Sequence, residues 1–187
     1  MLKKKLWIAA AATVLVLPTI ASAHPGHETE SGFGQGLMHP LGGLDHLLAL
    51  IGIALLAVRL GGRHTWRLPL AFLGSCVIGG AIAQTGISIP FTEWLIMASV
   101  VIGGGLLACG KSVPGYALAS LAALGTVHGF AHIQEMGTAP WMSYSLGLIL
   151  ASTAVIAITM TSAVALRALR TRWVATRSMS LPTGLDQ

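Results

Sequence analysis

The chain has 187 residues, 54% of them hydrophobic and only 9% charged, with mean hydropathy +0.77. Soluble domains carry about 25% charged residues, so this composition excludes an ordinary water-soluble domain and predicts one polytopic membrane domain. The formal charge of +5 does not indicate nucleic-acid binding, because Lys3, Lys4 and Lys5 lie at the extreme N-terminus and the remainder is close to neutral.

Residues 1–23 read as a secretory signal. Lys3 to Lys5 make a basic start, Leu6 to Leu17 an apolar run, Pro18 a break, and Ala21-Ser22-Ala23 a small-residue cleavage site. The apolar run is shorter than the roughly 20 residues a span needs. Cleavage after Ala23 would leave His24 first, its amine and imidazole able to chelate one ion with His27 close behind. Residues 24–36 are therefore expected to be an outer polar arm that captures metal.

Five apolar segments follow: Leu41–Leu60, Leu68–Thr85, Phe91–Cys109, Val113–His132 and Met142–Leu166. Lipid cannot satisfy backbone polar groups, so such segments are expected to be helices. The connections carry Gly61-Gly62, Pro90, Gly110 with Pro114, and Gly137 with Pro140, residues that end helices. The expected fold is all-α: a compact bundle of five transmembrane helices over residues 37–170, with a cytoplasmic tail at 171–187.

Orientation follows from Lys and Arg in the loops. With the mature N-terminus outside, Arg59, Arg63, Arg67, Lys111, Arg167, Arg170, Arg172 and Arg177 all fall inside. The expected topology is N-out and C-in, in the inner membrane of a bacterium. Ser75 with Gly79, Gly103 to Gly105, and Gly125 with Gly129 allow helices to approach closely. A Gly-rich interface between two copies in a homo-oligomer fits that pattern equally well. Cys76 and Cys109 have no CxxC spacing and read as small apolar residues.

The chemistry-bearing residues gather at the outer ends of these segments. His39 and His46 stand two helical turns apart at the start of the first, with Asp45 beside them. Pro40 suits a first helical turn. A carboxylate at the depth of Asp45 costs about 2–3 kcal/mol unless compensated, as an Asp–His hydrogen bond could do. His128, His132 and Glu135 are spaced four and three apart near the end of the fourth segment, so they form one stripe that can offer two imidazoles to one ion. Glu93 opens the third segment, where it also complements the helix dipole. His64 sits among arginines and reads as a loop residue. The metal-ligand set is thus His39, Asp45, His46, Glu93, His128, His132 and Glu135, with His24 and His27 in the arm. Imidazole and carboxylate without thiolate suit Ni²⁺, Co²⁺ or Zn²⁺ better than Cu⁺, Mg²⁺ or Ca²⁺.

At these residues the sequence resembles the HupE/UreJ family of hydrogenase and urease accessory proteins. The family pattern H-x5-D-H is met by His39, Asp45 and His46. A second pattern, F-H-G-x-[A/V]-H-G-x-E, is met by His128, Gly129, Ala131, His132 and Glu135, with Val127 in place of Phe and Ile133 in place of Gly. Phe72 and Glu93 resemble other family positions of importance. The resemblance implies a permease for Ni²⁺, or a cobalt relative, that supplies a metalloenzyme. No P-loop sequence is present, so ATP hydrolysis through such a loop is excluded. Two other classes remain open on the sequence: an intramembrane zinc hydrolase, and a metal-binding accessory protein that transports nothing. The expectation is a transporter and not an enzyme.

Overall fold

The computed structural model describes residues 32–108 and 113–179, and every element in it is helical. The helices are α1 (Gly32–Gly42), α2 (Leu44–Leu60), α3 (His64–Ala83), α4 (Thr92–Ala108), α5 (Gly115–Ala123), α6 (Gly125–Glu135) and α7 (Trp141–Met179). Residues 1–31, which include the expected signal segment and His24 and His27 of the expected arm, residues 109–112, which include Cys109 and Lys111, and residues 180–187 lie outside the described residues.

Each expected apolar segment is helical, but two are interrupted. The first divides at Gly43 into α1 and α2, which meet at a 76° bend. Gly43 has an extended backbone, φ −98° and ψ 116°, so the α2 ladder starts afresh beyond it. Pro40 does not open a span; it lies near the end of α1, where its missing N–H leaves the carbonyl one turn earlier without a helical donor. Helix α1 also begins within the stretch expected to be the polar arm. The fourth segment divides at Leu124, where α5 passes into α6.

Among the described residues, three units are long and apolar enough to cross a bilayer: α3, α5 with α6, and α7. The α1–α2 pair adds a fourth if it is one broken span. Helix α4, with 17 residues, is at the lower edge of the 17–25 or so that span. The outer faces of α3 and α7 are apolar and open: Leu70, Val77, Ile78, Leu146, Leu150 and Ile158 are each more than half exposed. In water such faces would drive aggregation; in lipid they are the natural solvent boundary.

Helix association in lipid relies on close packing rather than on hydrophobic burial. The most extensive contacts are α3 with α6 and α1 with α7, and glycine makes both. A Cβ at Gly79 would run into the Thr126 carbonyl of α6, and one at Gly129 into the Cys76 carbonyl of α3. Gly36 and Gly147 bring α1 onto α7 in the same way, at the backbones of Tyr144 and Phe33. The small-residue pattern at Ser75/Gly79 and Gly125/Gly129 therefore serves packing within one chain. Backbone cannot yield as a side chain can, so Gly129→Val should cost about 1–3 kcal/mol and lower the melting temperature of the detergent-purified protein. Gly104→Ala, where an added Cβ meets nothing within 4 Å, should not. An unchanged melting temperature for Gly129→Val would contradict the α3–α6 contact.

The arginines tie the far end of the bundle. Arg59 donates to the carbonyls of Leu106 and Leu107 at the end of α4. Arg167 donates to the Val58 carbonyl at 2.9 Å. Both satisfy carbonyls that a helix end leaves open.

Candidate metal centre

The end of the bundle opposite those arginines gathers the residues expected to be metal ligands. Helix α1 brings His39, α2 brings Asp45 and His46, α4 brings Glu93, and α6 brings His128, His132 and Glu135. His39 and His46 do meet, with ring centroids 5.9 Å apart. They meet across the bend between α1 and α2, not on one continuous helical face as the seven-residue spacing predicts. The break lets His39 fold over toward α6.

The outer part of the cluster is His39, His132 and Glu135. One ligand atom from each lies within 4.8 Å of the others. His39 Nε2 is 3.1 Å from Glu135 Oε2, and the His39 and His132 rings are 4.8 Å apart. Glu93 lies close enough to Glu135 for their carboxyl groups to interact. Two carboxylates side by side repel when both are ionised, and a cation between them relieves that repulsion. The C-terminal end of α6 adds the negative pole of its helix dipole.

The inner part is His46 and His128. His46 packs on His132 with centroids 4.2 Å apart and on His128 at 5.5 Å. Both rings are held from the Nδ1 side. Asp45 Oδ1 accepts from the His46 backbone N–H at 2.9 Å and lies 3.0 Å from His46 Nδ1. His128 Nδ1 lies 3.2 Å from the Leu124 carbonyl. Phe72 covers His128 at 5.3 Å, which gives a physical place to a residue that the sequence singles out only by resemblance. Ile133, where the family pattern has Gly, packs onto Gly80; the missing side chain on α3 makes room for it.

Among the described residues, the buried side-chain nitrogens and oxygens without a hydrogen-bond partner are His46 Nε2, His128 Nε2, His132 Nδ1 and the Tyr144 hydroxyl. All four belong to this cluster. Each such atom costs about 1–3 kcal/mol, and folded proteins keep few of them. A bound cation with its remaining water would satisfy them. Tyr144 has no signal in the sequence. It comes from α7, is 1% exposed, and sets its ring 5.6 Å from that of His39.

A cavity of about 300 Å³ adjoins the imidazoles. It runs along α7 from Trp141 to Ser152, with α3, α6 and the His46–Leu50 turn of α2 as its other walls, and is almost wholly apolar. His64 begins α3 at the arginine end, away from the cluster.

This geometry can bind a borderline divalent metal through imidazole nitrogen and carboxylate oxygen. The profile of the HupE / UreJ protein family matches residues 12–184. The curated protein named Protein HupE, from Rhizobium leguminosarum bv. viciae, is 35% identical over 136 residues, which cover 72% of this chain and 69% of the relative. No solved structure matches. A match over nearly the whole length, together with a relative 35% identical over more than two thirds of both chains, means that this chain belongs to the HupE/UreJ family.

Proposed function

We propose that this chain is a secondary permease of the bacterial inner membrane that takes up Ni²⁺ for hydrogenase or urease maturation. Co²⁺ and Zn²⁺ are the other ions its ligands suit. The observation that carries the reading is the convergence of four imidazoles and two carboxylates at one end of an apolar bundle in a chain of this family. With that end outside, the arginine-rich end is cytoplasmic, as the positive-inside rule requires. His39, His46, Glu93, His128, His132 and Glu135 replace water around the entering ion, and Asp45 holds His46 among them.

Uptake needs no ATP on this reading. Two charges that cross about 100 mV gain roughly 4.6 kcal/mol, more than a thousandfold in concentration at about 1.4 kcal/mol per decade. The test is purified protein in proteoliposomes with an imposed inside-negative potential. Ni²⁺ should accumulate inside and should stop doing so when the potential is collapsed. Tight Ni²⁺ binding with no flux under any potential would refute the permease and leave an accessory metal-binding protein.

A further inference from the structure

The tight outer group of His39, His132 and Glu135 does not include two buried imidazoles of the cluster. His46 is 5% and His128 2% exposed. A carbonyl oxygen can only accept, so His128 Nδ1, facing the Leu124 carbonyl, carries the proton. The Asp45 carboxylate fixes His46 in the same way. Each ring is thereby left with a bare lone pair on Nε2, and neither Nε2 has a donor near it. A carboxylate or carbonyl on one nitrogen and an open lone pair on the other is the arrangement of metal-binding histidines. His132, whose Nδ1 is also unpartnered, lies between this pair and the outer group.

We propose that His46 and His128 form a second metal position, made of imidazole alone, one helical turn deeper than the outer group. His128 precedes His132 by four residues on α6, which displaces it about 6 Å along the axis. Two divalent ions that close would repel strongly, so a single ion holds one position at a time and passes between them through His132. The outer position mixes nitrogen with carboxylate and accepts hard and borderline ions alike. The inner one offers nitrogen only and rejects hard ions, which take oxygen ligands. Discrimination against Mg²⁺, Ca²⁺ and Mn²⁺ therefore occurs at the inner step. The consequence for transport rests on the permease reading; the existence of two positions does not.

The test measures equilibrium binding to full-length protein in detergent, with Mn²⁺ alone read by electron paramagnetic resonance and Co²⁺ alone by its visible absorption. All variants carry His24→Ala and His27→Ala, so that the arm contributes nothing. The double variant His46→Gln, His128→Gln should keep Mn²⁺ binding. The double variant His39→Gln, Glu135→Gln should lose Mn²⁺ yet still bind Co²⁺ with a nitrogen-rich spectrum. Each variant's retained ion shows that it is folded. If either fails to fold, Asp45→Asn decides: it should strip the nitrogen-rich part of the Co²⁺ spectrum, because the inner imidazole loses its orienting partner, and leave Mn²⁺ binding unchanged. Equal loss of both ions in the two double variants, or an equal change of both in Asp45→Asn, would overturn the second position. Because no flux is measured, failure here leaves the permease standing, and absence of flux in liposomes leaves the two positions standing.

Discussion

His132→Ala should stop nickel uptake almost completely while the protein still inserts in the membrane. His132 packs closely on both parts of the cluster: its ring lies 4.8 Å from that of His39 and 4.2 Å from that of His46. It is also one of the residues of the three-ligand outer group. Loss of a partner that merely orients a ligand costs about 10- to 100-fold, so loss of a ligand that serves both positions should exceed about 100-fold. The substitution leaves a void rather than a clash on α6, and Gly79, Gly125 and Gly129 still seat that helix on α3. The measurement is ⁶³Ni uptake in a strain that lacks other nickel importers, with membrane insertion confirmed by fractionation. His64→Ala, at the other end of α3, should be nearly silent. Normal uptake in His132→Ala beside a loss in His64→Ala would place the site at the wrong end of the bundle.

The grouping of the imidazole and carboxylate side chains was legible in the sequence because spacing carries it. Four-and-three spacing put His128, His132 and Glu135 on one stripe, and α6 presents them so. The glycines of α3 and α6 were legible for the same reason: small residues one turn apart mark a close approach, and Gly79 and Gly129 make it. The bend at Gly43 was not legible. Apolar residues continue on both sides of it, so the segment reads as one span, whereas the chain turns by 76° there. The His39–His46 pair was thus expected to meet on one helical face and meets across a bend instead. Nor could spacing divide the ligands into roles. Asp45 reads as a ligand from its company, yet one of its oxygens is spent on holding His46. Tyr144 stands in an apolar helix that is remote in sequence from both motifs, and only the packing of α1 on α7 carries it to His39.

The bend itself should prove sensitive, and Gly43→Ala is the sharpest probe of it. The backbone at Gly43 is one that any residue adopts, so the glycine is not there for conformational freedom. An added Cβ would instead meet His46 Nδ1 at 2.9 Å and Asp45 Oδ1 at 3.0 Å, the two atoms of the contact that aims His46. Side chains can shift where backbone cannot, so the fold should tolerate the methyl with little change in melting temperature. The shift falls on the Asp45–His46 pair, which must separate or rotate, and the Nε2 lone pair of His46 turns with it. Uptake should therefore fall by about 10- to 100-fold, as when a metal ligand loses its support. Gly52→Ala is the control: on the same helix an added Cβ meets nothing within 4 Å, and Ala favours the helix by up to about 1 kcal/mol over Gly. Uptake and melting temperature measured on both variants separate the two effects. If Gly43→Ala transports like the parent, the aim of His46 does not govern passage; if it unfolds, the glycine serves the packing of α1 and α2 rather than the site.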